Sequence, residues 1–127
     1  MAAVSSAELN ASSAYKDRPS IKVFYDSNAV QPDKLTPILL GIEEEGIPFD
    51  LAGVPDSDVY EIGFKAAKAS RLGVGIGVSS NKLVLHFEKL EKKRPIFEIG
   101  TFEKENYRIL GSNAARLVKK MPFKDFL

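Results

Sequence analysis

The sequence predicts a single α/β domain of three layers, in which helices cover a mixed five-stranded sheet with one antiparallel strand. Its 127 residues match the usual size of one domain. Short runs rich in β-branched and aromatic residues alternate with segments of helical hydrophobic spacing, as in α/β folds. Two consecutive predicted strands are joined by a turn too short for a parallel crossover, so one strand runs against the others.

Composition excludes several kinds of site. Hydrophobic residues make up 44% of the chain and charged residues 28%, which is typical of a folded globular protein. The net charge of +1 does not favour a nucleic-acid partner. The absence of cysteine excludes disulfides, thiolate metal sites and cysteine nucleophiles, and the single His86 excludes a multi-histidine metal centre.

The chain shows no targeting or membrane signal. No apolar stretch approaches the length that spans a membrane, and residues 1–6 lack the basic and apolar regions of a secretory signal. We therefore expect no membrane partner and a cytoplasmic location, with association to a bacterial microcompartment left open.

Residues 1–19 are predicted to be a flexible N-terminal tail, and residues 20–127 the folded domain. Ala and Ser dominate the first segment, and Pro19 interrupts helical structure before the first strand. The alternative is a short targeting helix with Val4, Ala7 and Ala11 on one face, although so little apolar surface gives weak binding.

The first half of the domain predicts a β-α-β-α order, with strands over 21–25 and 49–54. Apolar residues at helical spacing predict a first helix over 36–45: Leu35, Ile38, Leu39 and Ile42. Thr36 is its predicted N-cap, and Gly46 its end. A second helix is predicted over 58–70, beginning with Asp58 and Glu61 in the spacing of a capping box.

The second half predicts three strands, over 73–78, 83–87 and 95–99, and a last helix over 113–121. Ser112 or Asn113 is the predicted N-cap of that helix. The complete order is therefore β-α-β-α-β-β-β-α, with the antiparallel hairpin between the third and fourth strands.

Two features suggest chemistry but have a structural interpretation. Gly73, Gly75 and Gly77 alternate within a predicted strand that leads to a hairpin, whereas a dinucleotide-binding motif turns from a strand into a helix. Alternating glycines instead leave one face of the strand bare and let a helix pack closely. His86 lies in a predicted strand without a neighbouring ligand, which favours a buried or interface residue over a general base.

Glu43, Glu44 and Glu45 are the feature that helix physics does not explain. Three carboxylates occupy the last turn of the first predicted helix, where the helix dipole is negative and each exposed carboxylate is disfavoured by about 0.3–1 kcal/mol. A cation would relieve the repulsion, either a metal ion or Arg and Lys side chains from elsewhere. The alternative is a run of charges that only solvent surrounds. One helix end supplies too few oxygens for a divalent cation, so further metal ligands would come from another segment or chain.

Two segments resemble the dehydratase medium-subunit family. The first is Leu-Leu-Gly-Ile-Glu-Glu-Glu-Gly-Ile-Pro-Phe over 39–49, and the second is Asn-Ala-Ala-Arg-Leu-Val-Lys over 113–119, followed by Pro122-Phe123. The resemblance covers residues 20–126 and implies a fold similar to an anticodon-binding domain. The Ala- and Ser-rich tail carries no motif of the family.

The resemblance implies a function as well as a fold. One branch of the family contains the medium subunit of adenosylcobalamin-dependent diol or glycerol dehydratase. The other contains the small subunit of the factor that reactivates those enzymes, and the length of this chain resembles that second branch. A short or divergent medium subunit is the alternative, and a stand-alone nucleic-acid- or nucleotide-binding module is a third possibility.

The second branch implies a non-catalytic subunit of an ATP-dependent, chaperone-like complex. Its implied partners are a large ATPase subunit, with two copies of each subunit, and the large dehydratase subunit during a subunit exchange that releases damaged cobalamin. ATP or ADP would bind the large subunit only. The resemblance further implies that Glu44, with Glu43 and Glu45 as alternatives, completes a site for Mg²⁺ or another divalent cation on the partner.

Overall fold

The structure, a computed structural model, describes residues 18–101 and 103–127. The predicted flexible tail and the alternative targeting helix fall almost entirely in residues 1–17, outside the described residues. The elements follow in this order: β1 (Ile21–Asp26), a 3-10 turn (Pro32–Leu35), α1 (Thr36–Glu44), β2 (Phe49–Val54), α2 (Val59–Ala69), β3 (Val74–Val78), β4 (Lys82–Phe87), β5 (Phe97–Gly100) and α3 (Lys104–Lys119).

The sheet has five strands in the order β2-β1-β3-β4-β5. Strand β1 pairs in parallel with both β2 and β3, so that Val23 lies between Leu51 and Ile76. Strand β4 runs antiparallel to β3 and to β5. The prediction of a mixed sheet with one reversed strand is therefore confirmed, and the reversed strand is β4.

The three layers follow from the alternation of side chains along the strands. One face of the sheet packs against α1 and α3, and the other face packs against α2. The first face forms the apolar core, whose buried members are Ile21, Val23, Leu35, Ile38, Ile42, Val74, Ile76, Val78, Leu83, Leu85, Leu110, Ala114 and Ala115.

Helix α2 approaches β3 so closely that the strand has no room for side chains on that face. A Cβ atom on Gly77 would lie 2.7 Å from the Cα of Gly63, and one on Gly75 would lie 2.5 Å from the carbonyl carbon of Ala66. The prediction that the alternating glycines admit a helix is confirmed for Gly75 and Gly77. It is wrong for Gly73, which precedes β3 with φ of +73° and faces the Glu88 side chain.

Helices α1 and α3 also cross at glycines. A Cβ atom on Gly41 would lie 2.8 Å from the backbone nitrogen of Ser112, and one on Gly111 would lie 2.9 Å from the carbonyl carbon of Ile38. This close crossing brings the charged side chains of α3 within reach of the end of α1.

The prediction for the last helix is wrong at its start. The helix begins at Lys104, nine residues before the predicted residue 113, and it ends at Lys119, two residues before the predicted 121. Ser112 and Asn113, the predicted N-caps, are fully buried in the middle of α3. The Asn113 side chain donates to the carbonyl of Lys124 at 3.0 Å and accepts from the Lys124 N–H at 2.7 Å, so it fixes the C-terminal segment.

The other boundaries differ less. Thr36 is the first helical residue of α1 and not its cap, since its hydroxyl donates to the carbonyl of Asp33 at 3.0 Å. Asp58 does cap α2, accepting from the N–H of Tyr60 at 3.0 Å, but Glu61 pairs with Lys92 instead of closing the capping box. Gly46 has the predicted helix-ending conformation, with φ of +79°.

None of the helices in the described part of the chain combines the length and the apolar character that crossing a membrane requires.

Candidate interaction surface at the end of helix α1

The three consecutive glutamates end α1 in three different environments. Glu44 is the last helical residue and Glu45 the C-cap, after which Gly46 turns the chain toward β2. Glu43 and Glu44 are exposed, whereas the Glu45 side chain is only 10% exposed. Successive helical residues point about 100° apart, so the three carboxylates meet different neighbours.

Glu45 turns inward and is fully engaged by α3. Its carboxylate accepts from Ser112 at 2.6 Å, from Lys119 at 2.7 Å and from Arg116 at 3.1 Å. Lys119 also donates to the backbone carbonyl of Glu45 at 2.8 Å, which satisfies a carbonyl at the helix end. These hydrogen bonds, that from Lys119 foremost, lower the pKa of Glu45 from 4.5 to about 2.

Glu44 lies at the surface and forms a two-point ion pair with Arg108 of α3. The Arg108 Nε donates to Oε1 at 3.0 Å, and Nη2 donates to Oε2. The hydrogen bond from Arg108 is the main reason that the pKa of Glu44 lies below its ordinary value. The Glu44 side chain is still 41% exposed, so the ionised carboxylate can be reached by a partner.

Glu43 makes no ion pair with any residue in 18–101 or 103–127. One turn earlier on the helix, Leu40 is 43% exposed, one of few large apolar side chains on the described surface. We call Leu40, Glu43, Glu44 and Arg108 the α1 acidic surface. An apolar side chain bordered by charged groups has the arrangement of an apolar centre with a polar rim that protein contacts use.

Cationic partners for Glu44 and Glu45 are present in the chain itself. The sequence left two sources open, a metal ion or basic side chains, and the structure supplies Arg108 to Glu44, with Arg116 and Lys119 to Glu45. Sequence reasoning missed Arg108 because no element was predicted between the fifth strand and residue 113. Arg116 and Lys119 lie in the predicted helix, but their spacing does not show which carboxylate they meet. Once α3 begins at Lys104, positions 108, 112 and 116 share one face at i, i+4 and i+8 spacing.

The α1 acidic surface could supply one or two carboxylate ligands to a divalent cation, but not a complete site. Mg²⁺ prefers about six oxygen ligands, including carboxylates. Among residues 18–101 and 103–127, no group of three or more His, Cys, Asp or Glu side chains is placed to hold a metal ion. Glu43 could add an oxygen to a cation held mainly by another chain, and Glu44 could do so by giving up a hydrogen bond from Arg108. The Glu45 oxygens are less accessible and accept from Ser112, Arg116 and Lys119.

His86 is a structural residue, as the sequence favoured. It is fully buried, and its ring stands edge-on to Phe64 with centroids 5.7 Å apart. Nε2 lies 2.9 Å from the carbonyl of Lys92, and Nδ1 lies 3.0 Å from the backbone nitrogen and 3.1 Å from the carbonyl of Phe87. These contacts connect β4 to the charged loop that follows it.

Comparison with known proteins places this arrangement in a family. The family model of the dehydratase medium subunit matches residues 18–124. The chain belongs to the dehydratase medium-subunit family. The match covers every element from β1 to α3, including both helices that build the α1 acidic surface.

Relatives within the family carry more specific names. A propanediol dehydratase-reactivating factor small subunit of Citrobacter freundii is 43% identical over 109 residues, covering 84% of this chain and 91% of that protein. A probable glycerol dehydratase-reactivating factor small subunit of the same organism is 32% identical over 113 residues, covering 84% and 94%. A solved structure of diol dehydratase-reactivating factor complexed with ADP and Mg²⁺ matches with a TM-score of 0.78 and 37% identity, covering 86% of this chain and 100% of the matched chain.

Proposed function

We propose that this chain is the small subunit of a factor that reactivates adenosylcobalamin-dependent diol or glycerol dehydratase. The observation that carries the proposal is the shared extent of this chain and a chain of the solved reactivating factor: 100% of that chain is covered, at 37% identity and a TM-score of 0.78. Because the match extends along the whole of that chain, it supports a shared role in the assembly and not only a shared fold.

The small subunit performs no chemistry in this proposal. It binds two alternative partners, a large ATPase subunit and the large subunit of the dehydratase, and its exchange between them opens the dehydratase so that damaged cobalamin leaves. ATP or ADP binds the large subunit, with two copies of each subunit in the complex. The ADP and Mg²⁺ in the related factor support this assignment of ligands to the complex.

The α1 acidic surface is the proposed contact with the large subunit, and Glu44 is the proposed ligand to its divalent cation. Glu44 is ionised, exposed and held in one orientation by Arg108. Bound Mg²⁺ would supply a charge that neutralises this carboxylate at the interface. Arg108 competes for the same two oxygens, so contact with the partner must loosen an existing ion pair.

The diol system is the proposed substrate context. Identity to the propanediol dehydratase factor is 43% over 109 residues, against 32% over 113 residues for the probable glycerol dehydratase factor. In a reactivation assay with both inactivated enzymes, we expect faster recovery of the diol dehydratase. Equal recovery, or faster recovery of the glycerol enzyme, would reject this assignment.

The test of the main proposal is affinity for the purified large ATPase subunit, measured by calorimetry with Mg²⁺ and with a chelator. We compare the wild type with Glu44→Gln and with the matched control Glu43→Gln. Loss of one charged contact costs about 1.5–3 kcal/mol, so Glu44→Gln should weaken Mg²⁺-dependent binding about tenfold or more. The control should bind as the wild type does, and the chelator should remove the difference.

The outcomes separate the alternatives. If Glu43→Gln weakens binding and Glu44→Gln does not, the ligand assignment is wrong but the partner is right. The family model is that of the dehydratase medium subunit, so an enzyme subunit is the second candidate. That candidate predicts stable binding to the large dehydratase subunit and none to the ATPase.

A further inference from the structure

A crevice in the described part of the chain lies at the opposite end of α1 from the α1 acidic surface. It has a volume of about 470 Å³ and is lined by the loops that follow β1 and β3, together with the first turn of α3. Its lining includes Val30, Lys34, Ser80, Lys104 and Tyr107. No part of the proposed reactivating function uses this crevice.

The topology explains why a crevice forms there. The strand order β2-β1-β3 means that the chain leaves β1 toward one side and later reaches β3 on the other side. The loop after β1 leads to α1, whereas the chain after β3 turns back as the hairpin into β4, and both segments line the crevice. In open α/β sheets, ligands bind in the crevice at this switch point, outside the carboxyl ends of the strands.

The lining combines an apolar wall with basic groups. Val30, Leu35 and Val78 supply apolar surface, and Lys34 and Lys104 supply two positive charges. Neither lysine forms an ion pair with a residue in 18–101 or 103–127. Two ammonium groups on separate segments, aligned with one crevice, suit a phosphate group.

The hydroxyl groups of the crevice complete the donor set. Ser79 is committed to the hairpin turn, where its Oγ accepts from the Lys82 N–H at 3.2 Å. Ser80 is exposed at the mouth and can donate to a ligand. Asp33 also lines the crevice, and its carboxylate can accept from a ligand hydroxyl while disfavouring a second anionic group nearby.

We propose that this crevice binds a small organic phosphate of about mononucleotide size, with the phosphate between Lys34 and Lys104 and the apolar body against Val30 and Val78. The volume is within the range of about 300–1,000 Å³ that is usual for small-molecule sites. The proposal goes beyond the reactivating function and does not depend on it, because binding is measured on the 127-residue chain alone.

The test is a titration of the ¹⁵N-labelled full chain with AMP, with adenosine as the comparator that lacks phosphate. We expect AMP to shift the amide signals of Lys34, Ser80 and Lys104 and their neighbours, and adenosine to bind much more weakly. Lys34→Gln and Lys104→Gln should each weaken AMP binding about tenfold, since each removes one charge-assisted contact.

A matched control removes two charges elsewhere. Lys89→Gln with Lys93→Gln changes exposed lysines in the loop after β4 and should leave AMP affinity unchanged. Binding that is equal for AMP and adenosine would overturn the proposal. So would shifts spread over the whole surface, equal loss in the control variant, or no binding of AMP at millimolar concentration.

Discussion

Helix α2 and the end of helix α1 are both held at close range, but by different means. Helix α2 lies on β3 through small residues, with Gly63 against Gly77 and Ala66 against Gly75. Helix α1 also crosses α3 at glycines, but three basic side chains of α3 then reach past the crossing to the glutamates. The first contact is complete within the fold. The second leaves charged groups at the surface.

This difference separates structural from functional residues among neighbours in sequence. The Glu45 carboxylate accepts hydrogen bonds from within the domain, whereas the Glu44 side chain is 41% exposed and lies near Leu40. A substitution in the glycine contact should therefore act on stability alone. Substitution of Glu45 should act on stability, whereas substitution of Glu44 should act on partner binding.

The largest expected effect is that of Gly77→Ala on stability. The added Cβ would overlap backbone atoms of Gly63 and lie 2.9 Å from the carbonyl oxygen of Val59, and backbone cannot rotate away. We expect a loss of about 3 kcal/mol or more in the free energy of unfolding, measured by urea denaturation.

Gly46→Ala is the matched control for that substitution. At Gly46 a Cβ meets nothing within 4 Å, and only the φ of +79° opposes alanine. The expected cost is about 1–2 kcal/mol, from the left-handed conformation alone. Equal losses for the two variants would mean that space between α2 and β3 is not the limiting factor.

Glu45→Gln is expected to have the next largest effect. Glutamine cannot serve Arg116 and Lys119 as a charged acceptor, and the carboxylate that they surround is 10% exposed. We expect a loss of about 2–3 kcal/mol in the free energy of unfolding. Glu43→Gln, which breaks no ion pair with a described residue, should change stability by less than about 0.5 kcal/mol. A small loss at Glu45 would mean that α3 holds α1 by the glycine crossing alone.

The pH dependence of stability tests the same carboxylate without a change of shape. The pKa of Glu45 is about 2 in the folded chain against an ordinary value of 4.5, so the folded state binds the proton more weakly than the unfolded state does. The stabilisation is complete above pH 4.5 and is lost as pH falls toward 2, by at most about 3 kcal/mol.

Denaturation midpoints across this range should therefore fall more steeply for the wild type than for Glu45→Gln. Parallel curves for the two proteins would contradict the internal role of Glu45. Other carboxylates titrate in both proteins, so only the difference between the curves is diagnostic.

The sequence predicted the parts of the molecule whose signals are local. The strands, the hairpin, the Asp58 cap and the Gly46 helix end all depend on neighbours within a few residues. The start of α3 was not predicted, because Gly111 and Asn113 look like residues that interrupt or begin a helix. In the fold they meet Ile38 and Lys124, and contacts that distant in sequence leave no periodic signal.

The candidate site was predicted in the same partial way. The three glutamates were conspicuous because a helix end disfavours them, and the family resemblance pointed to Glu44. The choice of partner for each carboxylate was not predictable from spacing. It depends on the crossing of α1 and α3 at Gly41 and Gly111, which decides whether a glutamate faces Lys119 or the solvent.

Arg108→Gln is expected to have the smallest effect on stability. It tests directly whether the end of α1 serves partner binding rather than the fold. Arg108 and Glu44 are both about half-exposed, and a solvated ion pair adds little to stability. The variant should unfold like the wild type.

If Glu44 serves a cation on the partner, removing its competitor should strengthen Mg²⁺-dependent binding of the large subunit, and calorimetry should show no gain with the chelator. If the Glu44–Arg108 pair instead docks as a unit, binding weakens equally with and without Mg²⁺, and Glu44 is not the ligand.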